Sequence, residues 1–190
     1  MAIVLASQSP RRQELLARIG VEDFKTLSLD IDESYPEGLS PEDTVRYIAK
    51  KKCDAAAALC APDDLIITAD TMVFLDNDRL GKPRDEEDAL RMLRELAGRG
   101  HTVCTGVSVR RGAQEERFAV STRVFFRPMT DDEIRAYIKT GEPMDKAGAY
   151  GVQSRGALFV ERIDGDFFNV MGLPVEQLGL VLARFGVKLL

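Results

Sequence analysis

Apolar positions along the chain fall into short runs and helical stripes that take turns. Ile3 to Ala6 is an apolar run. The polar stretch Ser7-Gln8-Ser9-Pro10-Arg11-Arg12-Gln13 and an amphipathic run to Gly20 follow it, which predicts strand, loop and helix. Ser9 is the expected N-cap, and Pro10 suits the first turn, where an N–H has no intrahelical partner to lose. Lys25 to Leu29 reads as extended and leads into Asp30-Ile31-Asp32-Glu33. Ser40-Pro41-Glu42-Asp43 opens a helix capped by Ser40, with Asp43 placed to reach back and with Val45, Ile48, Ala49, Cys53 and Ala56 as its buried stripe. Leu65 to Ala69 is a short strand ending at Asp70-Thr71, and Met72 to Leu75 continues extended to a polar turn at Asp76-Asn77-Asp78.

Beyond the loop Gly81-Lys82-Pro83, Glu86 to Ala97 forms a helix stopped by Gly98. His101 to Val109 and Glu116 to Phe126 read as paired strands around Arg110-Arg111-Gly112-Ala113. Thr130-Asp131-Asp132-Glu133 is a capping box for a helix reaching about Lys139. The segment from Gly141 to Gln153 is glycine-rich and polar. Leu158 to Ile163 is a strand, Asp164-Gly165 a hairpin-turn signal, and Pro174 to Phe185 a last helix. The expected fold is α/β with a mixed sheet.

Composition narrows the class. At 190 residues, with 45% hydrophobic and 30% charged, the chain suits a globular protein of one domain or two small lobes that needs no disulfide framework. Cys53, Cys60 and Cys104 lack paired metal-ligand spacing, and His101 is the sole histidine, so a structural zinc site is not expected. No apolar run approaches the ~20 residues of a membrane span, and the first residues show no basic leader. The expected location is therefore the cytoplasm. A net charge of −5 argues against a general nucleic-acid binder but is compatible with an anionic small molecule gripped by a few converging cations.

Two hydroxyls and two guanidiniums, Ser7, Ser9, Arg11 and Arg12, fall at a helix N-terminus, where unpaired N–H groups and the helix dipole attract phosphate. A capped helix with solvated arginines is the plainer reading. Asp70 directly follows Ile66-Ile67-Thr68-Ala69, which places a carboxylate at the expected carboxyl end of a buried strand. There it is open to pairing with a lysine, holding a divalent cation or acting as a general base, or to capping a turn with Thr71. Lys82 is held between Gly81 and Pro83. Of Lys50, Lys51 and Lys52, helical spacing favours Lys52, beside the apolar stripe, for a cleft-facing role; a turn lysine and a snorkelling lysine are the alternatives. Glu33 alternates away from Asp30 and Asp32 and suits a metal or water ligand, or else a solvated turn. Gln153 ends a run of small residues, and its amide matches the imide edge of uracil or thymine, although such loops are most often only turns.

Ala-Ser-Gln-Ser-Pro-Arg-Arg (6–12), Thr-Ala-Asp-Thr (68–71), Gly-Lys-Pro (81–83), Gly-Glu-Pro-Met-Asp-Lys-Ala-Gly-Ala-Tyr-Gly-Val-Gln (141–153) and Asn-Val-Met-Gly-Leu-Pro (169–174) occur in this order. In these motifs the chain resembles the Maf family of nucleoside triphosphate pyrophosphatases, once linked to septum formation, over essentially its whole length. The resemblance implies a single domain, 1–190, with a twisted mixed sheet and two lobes around a central cleft, like inosine triphosphatase. It also implies hydrolysis of a nucleoside triphosphate to monophosphate and pyrophosphate with Mg2+ or Mn2+.

The family's proton acceptor matches Asp70. Its specificity positions match Arg12, Thr71 and Gln153, in the combination of the branch acting on dTTP and UTP. Ser7, Ser9, Glu33, Lys52 and Lys82 match its phosphate and metal contacts, with Glu33 and Asp70 on the metal. A non-hydrolytic nucleotide-binding regulator of cell division is the alternative function, and an isologous homodimer is the default assembly.

Overall fold

The structure, a computed structural model, describes residues 1–76 and 78–190; Asn77, at the centre of the expected polar turn, lies outside the described residues. The strands are β1 (Ile3–Leu5), β2 (Phe24–Thr26), β3 (Leu65–Leu75), β4 (Asp78–Leu80), β5 (Gly100–Arg111), β6 (Gln114–Phe126) and β7 (Val160–Asp164). The helices are α1 (Pro10–Arg18), α2 (Pro41–Ala57), α3 (Glu86–Leu96), α4 (Asp131–Ile138), α5 (Phe167–Met171) and α6 (Val175–Arg184). The strands form one mixed sheet in the order β2-β1-β3-β5-β6-β7, with β4 paired antiparallel to β3. The chain divides into two compact units, one of Met1–Asp70, Thr105–Val120 and Gly172–Leu190, the other of Thr71–Cys104 and Ser121–Met171.

In the first unit β1 lies between β2 and β3 and runs parallel to both, with Leu5 opposite Thr26 and Ile67. The chain leaves β1 for one neighbour through α1 and reaches the other through α2. The carboxyl end of β1 is thus a topological switch point, the place where open α/β sheets leave a crevice for ligands. The expected stripe of α2 is buried throughout, from Val45 to Ala56. Ile66 clusters with Cys53 and Ala56, and two residues on, the Thr68 hydroxyl donates to the Ala49 carbonyl at 2.7 Å. The period of two along β3 therefore sends Ile66, Thr68 and Asp70 toward the same helix. Gly106 permits this packing. A Cβ there would lie 2.4 Å from the Val45 carbonyl carbon and oxygen, so β5 must present bare backbone to α2.

The second unit is built on α3 and α4, with 3-10 turns at Glu142–Asp145, Ala147–Ala149 and Arg155–Phe159. The Thr130 capping box forms with both reciprocal bonds. His101 Nε2 lies 2.8 Å from the Tyr150 hydroxyl, with the rings of Phe126 and Tyr150 edge-on to it. The Asn169 amide ties α5 to β5 and β6 by donating to the Val103 carbonyl at 3.0 Å and Thr122 Oγ1 at 2.9 Å.

Three local expectations are corrected. β3 does not stop at Ala69 but runs eleven residues through Asp70 and Thr71. Ser9 occupies the N-cap position without a side-chain cap bond; Ser7 Oγ accepts the Ser9 N–H at 3.2 Å instead. Asp164-Gly165 does not close a hairpin, because the chain passes directly into α5, where the Thr122 hydroxyl and the Asp166 main chain exchange hydrogen bonds.

Candidate active site

Asp70 is 6% exposed in the middle of β3. Its position nevertheless has the character of a strand end, for a reason visible only in the pairing. The parallel ladder with β1 stops at Ile67, whose carbonyl accepts the Ala6 N–H at 2.9 Å, and the ladder with β4 begins only at Val73. Asp70 lies in the interval. The carbonyl just before it, on Ala69, accepts from Arg12 Nη1 at 2.9 Å, so a side chain takes over where the strand partner has ended.

Lys52 joins the two acids. Its ammonium lies 2.7 Å from Asp70 Oδ1 and 2.8 Å from Glu33 Oε1, with the Lys52 side chain 14% exposed. Helical side chains lean toward the N-terminus, so Lys52 carries its charge back along α2 to the level of Asp70. Lys50 pairs with Asp54, and Lys51 donates to the Ser34 carbonyl at 2.9 Å. Three consecutive lysines thus serve three different places. Asp70 Oδ2 is buried without a hydrogen-bond partner among the described residues, which leaves an acceptor beside the Oδ1 that accepts from Lys52.

Arg12 is half-buried and fixed by backbone, with Nε donating to the Gly172 carbonyl at 2.8 Å and Nη1 also reaching Ser7 Oγ at 3.3 Å. Burial lowers the pKa of this guanidinium, and the Asp70 carboxylate acts in the opposite direction, together with a weaker contribution from Glu33. Ser7, Ser9 and Arg11 flank the start of α1, which has no side-chain cap and no acid in its first turn. An anion there would meet the N–H groups of a helix whose own first turn contributes no carboxylate. The first unit thus brings Ser7, Ser9, Arg11, Arg12, Glu33, Lys52 and Asp70 to the loops at the carboxyl ends of β1 and β2 and to the adjoining part of β3.

The other expected residues belong to the second unit. Thr71 is half-buried on β3, and Lys82 is exposed in the loop after β4. That loop is held by the Gly148 N–H, which donates to the Gly81 carbonyl at 3.1 Å. Gln153 is exposed in the turn before Arg155–Phe159.

No group of three or more His, Cys, Asp or Glu able to hold a metal occurs among the described residues. A magnesium-type ion does not require one, since it is commonly held by one or two carboxylates with phosphate oxygens and waters. Asp70 and the half-exposed Glu33, whose Oδ1 and Oε1 already converge on one cationic group, the Lys52 ammonium, fit that use.

Reading the residues one by one missed Gly172, whose carbonyl orients Arg12, and Glu142, whose carboxylate organises the Gln153 turn. A carbonyl leaves no trace in residue type. Glu142 showed only as a polar residue between Gly141 and Pro143.

Comparison with known proteins gives these observations a family. Residues 2–185 match the Maf-like protein family. The dTTP/UTP pyrophosphatase of Bacillus velezensis is 47% identical over 186 residues, covering 98% of this chain and 97% of that protein. The dTTP/UTP pyrophosphatase of Pelotomaculum thermopropionicum is 46% identical over 190 residues, covering 99% and 98%. A solved HAM1 protein from Coxiella burnetii shares the fold at a TM-score of 0.56 and 13% identity, over 97% of this chain and 99% of that one. Since the family match leaves only Met1 and residues 186–190 outside it, the chain belongs to the Maf family.

Proposed function

We propose that this chain hydrolyses dTTP and UTP to the nucleoside monophosphate and pyrophosphate, the activity that its relatives' names carry. The observation that bears most weight is the Glu33–Lys52–Asp70 chain of contacts beside the uncapped start of α1. Attack on the α-phosphorus needs a water held near a base, cations on the triphosphate and a leaving group whose charge is neutralised. Asp70 Oδ2 accepts the proton of that water. Ser7, Ser9, Arg11, Lys52, Lys82 and the first N–H groups of α1 hold phosphate oxygens, while Arg12, Thr71 and Gln153 set base preference.

Mg2+ or Mn2+, held by Glu33 and Asp70, supplies charge neutralisation on the phosphates when bound. Residues 1–190 act as one functional domain. No helix among the described residues is long and apolar enough to cross a membrane, and we place the protein in the cytoplasm with nucleotide as its partner and a homodimer as its assembly.

The direct test is pyrophosphate release from dTTP, UTP, CTP and GTP with Mg2+, with Mn2+ and with EDTA. The proposal expects dTTP and UTP to lead and EDTA to abolish turnover. Tight binding of these nucleotides with no pyrophosphate released from any of them would leave a non-hydrolytic nucleotide-binding protein.

A further inference from the structure

The turn that carries Gln153 is anchored on both sides by a pair of side chains that have no part in the proposed chemistry. Glu142 Oε1 accepts from Ser154 Oγ at 2.6 Å, from the Tyr137 hydroxyl at 2.8 Å and from the Gly156 N–H at 3.2 Å, while Oε2 accepts the Arg155 N–H at 3.3 Å. The Tyr137 oxygen in turn accepts the Gly151 N–H at 3.1 Å. Gln153 stands between these two attachments, exposed at the head of a turn held from below.

The turn is also too tight for alternatives. A Cβ on Gly156 would lie 2.6 Å from the Gly151 carbonyl oxygen, and one on Gly151 would lie 2.8 Å from Ser154 Oγ. Burial raises the pKa of Glu142, but the bonds from Ser154, Tyr137, Gly156 and Arg155 outweigh it and hold the carboxyl below its ordinary value. Burial first, then Glu142, raises the pKa of Tyr137, so the phenol stays a donor. A neutral donor and an ionised acceptor are the states this network requires.

We propose that Glu142, acting with Tyr137, is a positioning residue for base selection: it fixes the Gly151–Gly156 turn so that the Gln153 amide meets the imide edge of uracil or thymine in one register. The inference rests on the reading that Gln153 faces the base. Amide recognition of a base edge needs placement within about half an ångström, and an exposed side chain inherits that accuracy from its backbone.

The test compares kcat/KM for UTP and CTP in Glu142→Ala, Glu142→Gln, Gln153→Ala and the Glu142→Ala/Gln153→Ala double variant. Glu142→Ala is expected to lower the UTP:CTP ratio by about tenfold, mostly through KM for UTP with kcat nearly unchanged. Glu142→Gln retains an oxygen for three of the four donors and turns an amide toward the Arg155 N–H, so a fall of about threefold is expected. Adding Glu142→Ala to Gln153→Ala should leave the ratio where Gln153→Ala alone sets it, because the two act through one contact. Should Glu142→Ala not fold, Glu142→Gln and Tyr137→Phe carry the comparison.

The proposal is overturned if Gln153→Ala collapses the ratio while the folded Glu142 variants keep it, or if the double variant falls further than Gln153→Ala. If Gln153→Ala itself leaves the ratio unchanged, the base-facing reading fails first and the inference with it.

Discussion

Replacing Asp70 by Asn separates catalysis from stability, and the structure gives the size of each effect. Oδ1 remains an acceptor for Lys52 at 2.7 Å, so the change weakens a charge-assisted bond without deleting it, a loss of about 1 kcal/mol. Against this, the variant no longer buries a charge with one unpartnered oxygen, a relief of about 1–3 kcal/mol that the new amide N–H groups partly offset. The net should lie within about 1 kcal/mol of zero, a Tm change of no more than about 4 °C for a chain of this length. Turnover is a different matter, because an amide cannot take a proton from water at neutral pH. Loss of a general base costs about 10²- to 10⁴-fold in rate, or about 3–5 kcal/mol in barrier. Pyrophosphate release from dTTP at saturating Mg2+, nucleotide affinity by calorimetry and thermal melting together test the argument. A folded variant that retains more than a tenth of the wild-type kcat would remove Asp70 from the role of base, and one that loses nucleotide affinity in step with kcat would make it a binding residue.

Three further perturbations follow from the same geometry. Lys52→Met strips Asp70 and Glu33 of their shared ammonium and should cost about 3 kcal/mol, seen as a Tm fall of about 6–10 °C, with part of the loss restored by adding Asp70→Asn; the absence of that rescue would mean the pair is not energetically coupled. Gly106→Ala puts a methyl 2.4 Å from the rigid backbone of Val45 and should destabilise by about 3 kcal/mol in urea, whereas a cost under about 0.5 kcal/mol would show that α2 can move aside. His101 is buried and neutral, its pKa lowered to about 3 by burial and then by Arg123. The unfolded chain takes up a proton near pH 6.5 that the folded one refuses until about pH 3, so stability falls as pH drops through that window, by about 2–3 kcal/mol at pH 4.5. His101→Gln should lose correspondingly less between pH 7.5 and 4.5, and parallel curves would refute the assignment.

Local pattern accounts for much of this protein. The α2 stripe, the Thr130 capping box, the hairpin of β5 and β6 and the last helix all follow from residues within a turn or two of one another, where propensity, capping and periodicity act. Helical spacing alone also separates Lys52 from Lys50 and Lys51, because consecutive helical side chains point in different directions. Pairing between distant segments decided the rest. Asp70-Thr71 reads as a strand end because a buried acid disfavours a strand interior; β3 runs on through it because Lys52 lies against the carboxylate and Arg12 takes the neighbouring carbonyl. Ser7 rather than Ser9 accepts at the start of α1, since the turn out of β1 brings its hydroxyl beneath the Ser9 N–H. The Gly172 carbonyl on Arg12 and the Glu142 carboxylate under Gln153 were invisible for one physical reason. Residue type records what a side chain is able to bond, while the fold alone settles which backbone groups come within hydrogen-bonding reach of it.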